Sequence, residues 1–243
     1  MNLFNSWLVN KYVAHRGLHN ETAPENSLKA FKNAIEHDYT IELDVHPLED
    51  GTPVVFHDET LKRLTGEDGY ISKIKNVEEL KTFKILETKQ TIPTLQEVLD
   101  VVKNQVPVII EIKDFNINGI FENAIYEVLK NYTGDYAVMS FNPYSLKWFK
   151  ENAPEVLRGQ MASLFKGKKL GIFRKWALKR MTLNKSVSQP NFIVYKWDEI
   201  PNKYVKKYKH LPLIATAVPS QQDYMKVAQF CDNIIFENFE PRI

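Results

Sequence analysis

Short apolar strand patterns alternate with amphipathic helix patterns along most of the chain. The strand patterns are runs rich in β-branched or aromatic residues, and turn residues or helix patterns separate them. They begin at Val13, Ile41, Val108, Ala137, Arg158, Phe192, Leu213 and Asn233. Strict alternation of strands and helices predicts a parallel sheet, and eight strands predict closure into a (β/α)₈ (TIM) barrel. A doubly wound open sheet is the alternative.

Two of the predicted helices begin at recognisable capping residues. A helix is predicted over residues 28–37, and either Asn26 or Ser27 can cap its first turn. Another helix follows Thr94, where Glu97 completes the pattern of a capping box. Both caps place a helix directly after a loop, as the alternating pattern requires.

Residues 59–92 interrupt the alternation. They contain a short helix-like piece at residues 77–80 and turn residues at Gly66 and Gly69, but no sustained period. We therefore expect residues 59–92 to form a small insertion after strand two, within a single barrel domain that spans residues 1–243.

Composition excludes several classes of protein. A chain of 243 residues with 44% hydrophobic and 26% charged residues is typical of a soluble globular protein. Its net charge of +2 is too small to predict nucleic-acid binding by the whole chain. Cys231 is the single cysteine, which excludes an internal disulfide and favours a reducing compartment. A secretory signal is not apparent and the apolar runs are too short to span a bilayer, so we expect a cytoplasmic location, with peripheral membrane contact left open.

The second strand pattern, residues 41–45, carries two acidic residues among apolar ones. Glu42 and Asp44 are two positions apart, so their side chains point to the same face of the strand. Two carboxylates side by side on a half-buried surface repel each other, and a bound cation would remove that repulsion. Hard cations such as Mg²⁺ and Ca²⁺ prefer carboxylate oxygen.

Further ionisable residues fall where the predicted strands end. His15 and Arg16 follow the first strand, His57 follows residues 54–56, and Glu111 and Lys113 lie two positions apart at the end of the next strand. Active sites of barrels lie at the carboxyl ends of the strands. Three carboxylates, two imidazoles, an arginine and a lysine at one end suit a phosphate ester, because cations hold its oxyanions and histidines move protons.

These residues stand in five spaced motifs that resemble the glycerophosphodiester phosphodiesterase family. The motifs are AHRG at 14–17, APENS at 23–27, the E-x-D of residues 42–44, HD at 57–58 and E-x-K at 111–113. IPTLQEVL at 92–99 and MSFNP at 139–143 are also similar to that family. The chain departs from the family pattern at Ala215, where a Trp is usual, and at Glu237, where an Asp is usual. Both departures concern the head-group side of the pocket.

The resemblance implies a (β/α)₈ barrel and a divalent cation, Mg²⁺ or Ca²⁺. Glu42, Asp44 and Glu111 would hold that cation.

The resemblance also implies roles for four other residues. His15 and His57 would be the acid–base pair, Arg16 would bind phosphate, and Lys113 would add positive charge near the metal or the phosphate. The implied reaction is hydrolysis of a glycerophosphodiester to sn-glycerol 3-phosphate and an alcohol. Two alternatives remain: a related barrel phospholipase of type D or C that acts on lysolipid or sphingolipid, and an inactive barrel that binds lipid or phosphate.

Other residues near the motifs have two interpretations. Glu25 and Asn26 either cap the following helix or, in the case of Glu25, orient Arg16 or His15. The remaining histidines are expected to be surface or hydrogen-bonded structural residues: His19, His37, His46 and His210.

Residues 164–185 form a basic segment with interleaved apolar residues. Its cations are Lys166, Lys168, Lys169, Arg174, Lys175, Lys179, Arg180 and Lys185. Its apolar residues include Leu170, Ile172, Phe173 and Trp176. The segment is either a solvated helix face or a docking surface for an anionic membrane. RNA binding explains it less well, because no RNA-binding motif accompanies it.

Overall fold

The computed structural model describes residues 2–167 and 171–242. These form two compact units: Ala14–Tyr136, and a second that combines the chain before Ala14 with the chain after Tyr136. Three residues of the basic segment, Lys168, Lys169 and Leu170, lie outside the described residues.

The described residues contain nine strands. They are β1 (Val13–Ala14), β2 (Thr40–Pro47), β3 (Pro53–Val55), β4 (Val108–Ile112), β5 (Tyr136–Ser140), β6 (Leu157–Ala162), β7 (Phe192–Lys196), β8 (Leu213–Val218) and β9 (Asn233–Phe236). All strands except β3 begin within one residue of a predicted start. The strand order in the sheet is that of a (β/α)₈ barrel, which confirms the predicted fold class.

The helices separate the strands as the sequence pattern predicts. They are α1 (Trp7–Asn10), α2 (Leu28–Glu36), α3 (Lys62–Thr65), α4 (Val77–Leu80), α5 (Leu95–Val102), α6 (Ile120–Leu129), α7 (Pro143–Asn152), α8 (Ile172–Arg180) and α9 (Gln221–Val227). Short 3₁₀ turns occur at Leu3–Asn5, Ile71–Lys73, Trp197–Glu199, Val205–Tyr208 and Ala228–Phe230. Within the described ranges, no helix combines the length and the hydrophobicity needed to cross a bilayer.

In the unit Ala14–Tyr136, β2 is the longest strand and has two kinds of neighbour. Its first part runs parallel to β4, with Asp44 directly opposite Glu111. Its last part, residues 45–47, pairs antiparallel with β3. Glu42 and Asp44 therefore lie inside β2 rather than at its end, where we expected them, because the hairpin with β3 extends the strand to Pro47.

Residues 59–92 consist of short helices and turns that pack on β3. Their buried side chains, among them Leu61, Leu64 and Ile71, form one hydrophobic cluster with Val54 and Phe56. The segment thus has apolar packing of its own, and this packing holds the chain that leads into His57. That the whole chain is one domain remains a prediction.

In the other unit, strands β5 to β9 run parallel, and the pairing of β8 with β9 shifts register between Ala215 and Val218. The side-chain amide of Asn233 on β9 donates to the carbonyls of Leu8 and Lys11 at 2.8 and 2.7 Å. These two bonds satisfy carbonyls at the end of α1 and attach this helix to β9.

Gly17 allows the loop after β1 to lie against α2. Its φ of +79° is in the left-handed region, and a Cβ there would lie 2.9 Å from the backbone of Ala30 and from the ring of Phe31. Ser27 caps α2 by accepting a hydrogen bond from the amide of Ala30. This bond holds the first turn of α2, against which Gly17 packs. The loop that carries Arg16 is thereby fixed by packing.

We predict that Gly17→Ala destabilises the protein by about 1–3 kcal/mol, because overpacking adds to backbone strain. Gly66→Ala is the matched control: Gly66 has a similar φ of +77°, but a Cβ there would meet no atom within 4 Å. Urea unfolding of both variants measures the difference. Equal losses would show that strain alone, and not the contact with α2, makes glycine necessary at position 17.

Candidate active site

Three buried carboxylates lie together on β2 and β4. Glu42 and Asp44 have no exposed surface and Glu111 is 5% exposed. One carboxylate oxygen from each residue lies within 4.8 Å of the others. The alternation of side chains along β2 and the register of Asp44 with Glu111 cause this convergence. The structure thus brings together the three residues predicted to hold a cation.

The cluster cannot carry three negative charges without added positive charge. Burial, followed by the charge of Asp44, raises the pKa of Glu42 to about 8. Burial also raises the pKa of Glu111. Burial would raise the pKa of Asp44 as well, but Lys113, His57 and Arg16 outweigh it and lower that pKa well below its ordinary value. Asp44 is therefore the carboxylate that stays charged.

The donor set fits a hard divalent cation. Within the described residues, Oε1 of Glu42 is buried and has no hydrogen-bond partner. Three carboxylates that converge from two adjacent strands provide the oxygen ligands that Mg²⁺ and Ca²⁺ prefer. A cation among them would give Oε1 of Glu42 a partner, and it would supply the positive charge that the three carboxylates need.

Lys113 places an ammonium group against two of the three carboxylates. It directly follows β4, and its Nζ lies 2.9 Å from Oδ1 of Asp44 and 2.7 Å from Oε1 of Glu111. Burial would lower the pKa of Lys113, but the two carboxylates raise it above its ordinary value. That Lys113 supplies positive charge near a metal or a phosphate remains a prediction.

Arg16 contacts carboxylates through both its backbone and its side chain. Its backbone amide donates to Oε2 of Glu42 at 3.0 Å. The backbone of Arg16 is left-handed, with a φ of +58°. Its guanidinium donates to Glu25 at 2.6 Å and lies 3.3 Å from Oδ2 of Asp44. A non-glycine residue in this backbone region is strained by about 1–3 kcal/mol, which is common where a loop forms a binding site.

Asn26 holds Asp44 rather than capping α2. Its side-chain amide donates to Oδ2 of Asp44 at 2.9 Å, and its backbone amide donates to the carbonyl of Arg16 at 3.0 Å. It is fully buried and, like Arg16, has a left-handed φ. Ser27 provides the cap, which resolves the choice that the sequence left open. The sequence offered no signal for the contact between Asn26 and Asp44.

The two predicted catalytic histidines lie beside this cluster in different surroundings. Nε2 of His15 is 4.0 Å from Oε2 of Glu42, and His15 is 8% exposed. Nδ1 of His57 donates to Oδ1 of Asp58 at 2.6 Å, while about a third of its side chain is exposed. Burial lowers the pKa of His57, although Asp44 opposes this shift. The bond to Asp58 fixes the proton on Nδ1 and leaves Nε2 as the nitrogen that can accept one.

His46 has a structural role. It is 6% exposed, and its Nε2 donates to the backbone carbonyl of His57 at 3.1 Å. The amide of Phe56 donates to the carbonyl of Asp44 at 3.0 Å. Together these bonds fix the backbone on both sides of position 57 relative to β2.

Arg63 on α3 links the two halves of the polar site, and sequence reasoning missed it. Its guanidinium donates to both oxygens of Asp58, at 2.6 and 3.0 Å, and to both oxygens of Glu25, at 2.7 and 2.8 Å. Asp58 in turn holds His57, and Glu25 holds Arg16. Residues 59–92 therefore contribute a residue to the site. Arg63 lies five positions after Asp58, a spacing that matches no recognised motif.

The ion pairs of Arg63 make the site sensitive to acid. Burial would raise the pKa of Glu25, but Arg63 and Arg16 lower it from 4.5 to about 2. Arg63 and His57 likewise overcome burial and lower the pKa of Asp58 from 3.8 to about 2. Since both pKa values are depressed in the folded protein, this stabilisation is present above about pH 4.5 and is lost as the pH falls towards 2.

We predict that Arg63→Met lowers the free energy of unfolding by about 1 kcal/mol at pH 7, since Arg63 is half-exposed and solvent screens its pairs. The difference from the unsubstituted protein should shrink between about pH 4.5 and pH 2, when Glu25 and Asp58 become protonated. Urea unfolding across this range measures it. Lys62→Met is the control, because Lys62 lies on the same helix but pairs with the exposed Asp68 instead of Glu25 or Asp58. If Arg63→Met lost the same free energy of unfolding at every pH, the ion pairs of Arg63 with Glu25 and Asp58 would not be the cause of the loss.

Asn142 and Tyr195, in the second unit, have structural surroundings. Asn142 caps α7 by accepting from the amide of Tyr144 at 3.1 Å. Tyr195 is fully buried in a cluster with Met181, Ile193 and other apolar residues.

The chain is similar to several known proteins. A model of the glycerophosphoryl diester phosphodiesterase family matches residues 15–223. A glycerophosphodiester phosphodiesterase of Caldanaerobacter subterraneus subsp. tengcongensis is 37% identical over 165 residues, which are 60% of this chain and 64% of that protein. Human lysophospholipase D GDPD1 is 31% identical over 160 residues, 60% of this chain and 50% of that protein. Both matches span less than two thirds of the relatives' own length.

Solved structures show the same fold. A phosphodiesterase of Oleispira antarctica in complex with the product sn-glycerol-3-phosphate superposes with a TM-score of 0.80 at 24% identity, covering 94% of this chain and 93% of that one. A glycerophosphodiester phosphodiesterase of Thermotoga maritima gives a TM-score of 0.71 at 25% identity, covering 93% and 94%.

Proposed function

The chain belongs to the glycerophosphoryl diester phosphodiesterase family, and on this premise we propose that it hydrolyses glycerophosphodiesters to sn-glycerol 3-phosphate and an alcohol. The observation that carries the proposal is the buried carboxylate cluster with His15 and His57 beside it. The Oleispira antarctica protein, whose structure contains sn-glycerol-3-phosphate, supports the identity of the product.

A divalent cation is part of this proposal. Glu42, Asp44 and Glu111 would hold one Mg²⁺ or Ca²⁺ ion. When bound, the cation supplies positive charge that stabilises the phosphoryl oxygens during displacement.

The chain's own residues would move the protons. His57 accepts a proton at Nε2 from the nucleophile. Attack by water gives sn-glycerol 3-phosphate directly, whereas attack by the neighbouring glycerol hydroxyl gives a cyclic phosphate, which a water molecule then opens to glycerol phosphate. As the new P–O bond forms, the bond to the departing alcohol breaks, and His15 protonates the alkoxide that leaves. We assign the base to His57 because Asp58 fixes its tautomer, and Arg63 fixes Asp58. Arg16 and Lys113 supply positive charge for the phosphodiester.

We predict that His15→Ala and His57→Ala each lower kcat by roughly 10²–10⁴-fold for glycerophosphocholine, because each removes one positioned proton-transfer group. His37→Ala is the control, since His37 lies on α2's exposed end. Release of glycerol phosphate measures the rate, and unchanged thermal unfolding of the variants excludes misfolding. Near-normal hydrolysis by both histidine variants would refute the mechanism.

We predict opposite effects of Glu42→Gln with and without the cation. In chelator, Glu42→Gln leaves the unfolding temperature unchanged or higher, because a neutral amide avoids the cost of protonating a buried carboxyl group whose pKa is raised to about 8. With Mg²⁺ or Ca²⁺ added, the unsubstituted protein gains stability, by about 2.7 kcal/mol at a hundred times the Kd, and the variant gains much less. Thermal unfolding measures both states. Glu49→Gln, on the exposed turn after β2, serves as the control. An equal gain in stability on addition of the cation to the Glu42→Gln variant would show that Glu42 does not bind the cation.

A second candidate function is a lysophospholipase D that acts on lipid at a membrane surface. The exposed apolar residues Ile172, Phe173 and Trp176 on α8 favour it. Turnover of lysophosphatidylcholine, compared with glycerophosphocholine in the same assay, distinguishes the two functions. The inactive-barrel alternative is disfavoured, because both histidines and all three carboxylates are in place. A cytoplasmic location with peripheral membrane contact remains our proposal.

A further inference from the structure

An open groove lined by basic residues lies next to α8. It has a volume of about 750 Å³ and is lined by residues from 180–190 and from 207–211. Four of the lining residues carry or can carry positive charge: Arg180, Lys185, Lys207 and His210. No acidic residue lines it within the described part of the chain. The groove therefore presents positive charge to whatever enters it.

The surrounding sequence leaves this charge largely uncompensated. Between Glu155 and Asp223 the chain has only two acidic residues, Asp198 and Glu199. Asp198 pairs with Lys196 at 2.8 Å. Glu199 is 7% exposed and accepts a hydrogen bond from the amide of Leu164. Neither acidic residue is among those that line the groove.

The outward side of α8 is apolar next to this groove. Ile172 and Phe173 are 84% and 89% exposed, and Trp176 is 46% exposed. At 3.6 residues per turn, these three positions fall within about 100° of one another. Leu178, on the opposite side of α8, helps to line a small cavity within the same unit. Exposed side chains of this size, clustered on one helix, are typical of an interaction surface.

Arg180 connects the apolar side to the groove. Its guanidinium lies 4.6 Å from the centre of the Trp176 ring, and the same residue lines the groove. Aromatic and cationic groups are therefore adjacent on the outward side of α8.

We propose that this surface, consisting of the outward side of α8 and the basic groove, docks on an anionic phospholipid bilayer. Phe173 and Ile172 enter the interfacial region, and the groove receives the phosphate of an anionic lipid head group. Large apolar side chains combined with clustered lysines and an arginine fit a bilayer interface, where each has a partner. A nucleic acid would satisfy the cations but would leave Ile172 and Phe173 exposed. The proposal does not depend on the proposed hydrolysis.

Co-sedimentation with vesicles tests the proposal without substrate. The intact chain should bind vesicles of phosphatidylcholine mixed with phosphatidylglycerol much better than vesicles of phosphatidylcholine alone. Binding should weaken as salt is added, because surface charge is screened within about 8 Å at physiological ionic strength. No binding to phosphatidylglycerol vesicles at low salt would overturn the proposal.

Two pairs of matched variants separate the groove and α8 from general charge and hydrophobicity. Lys185→Glu with Lys207→Glu should weaken binding about tenfold or more. Lys32→Glu with Lys73→Glu changes the net charge equally at exposed positions elsewhere and should have little effect. Ile172→Ser with Phe173→Ser should likewise weaken binding, whereas Ile117→Ser with Ile120→Ser, also exposed residues, should not.

Two outcomes of these variants would contradict the proposal. Equal losses in the variants and their controls would show that binding depends only on overall charge or hydrophobicity. Equally tight binding of a polyanion such as RNA, unaffected by Ile172→Ser with Phe173→Ser, would assign the groove to nucleic acid instead.

Discussion

The negative charge buried between β2 and β4 constrains the arrangement of the site. Asp44 has no access to solvent, so its charge depends on neighbouring groups: Asn26 donates to Oδ2, Arg16 lies 3.3 Å from Oδ2, and Lys113 lies 2.9 Å from Oδ1. Within the described residues, Oδ1 makes no hydrogen bond. Arg16 and Asn26 come from the loop between β1 and α2, and Lys113 directly follows β4. The left-handed backbone at Arg16 and Asn26 is strained, and the bonds to Glu42 and Asp44 offset that strain. Removal of one partner would therefore leave a buried charge less compensated, rather than only remove one hydrogen bond.

Residues 59–92 belong to this arrangement, although they interrupt the regular alternation of strands and helices. Their apolar side chains pack on β3, which leads into His57. Arg63 then joins Asp58 to Glu25, so that the group orienting His57 and the group holding Arg16 share one cation. A change in the packing of the insertion would thus reach His57 through Asp58 and Arg16 through Glu25. An irregular segment is therefore connected to two of the residues that we propose to act on the substrate.

The sequence predicted the parts of this structure that depend on local periodicity. Eight strands begin within one residue of their predicted positions, and the spacing of Glu42 with Asp44 placed two carboxylates on one face. The predicted length of β2 was wrong, because the strand pairs with β3 in a hairpin that the apolar pattern did not define. The contacts of Asn26 and Arg63 were not predictable, since each joins residues that are distant in sequence and leaves no periodic trace. Such contacts depend on the geometry of the folded chain.

The basic surface near α8 likewise combines a feature that the sequence shows with one that depends on the folded chain. Composition alone indicated a segment without acidic residues, but the groove combines residues 180–190 with residues 207–211, which no linear pattern connects. The exposed apolar residues and the clustered cations of this surface do not stabilise the folded chain. Ile172 and Phe173 gain almost nothing from burial within their own unit, and closely placed cations such as Lys185 and Lys207 repel one another. The carboxylate cluster is the reverse case, since there like charges are buried and internal cations compensate them. At the surface, the docking that we propose would supply the compensating charge and the apolar contact together, because an anionic bilayer offers both.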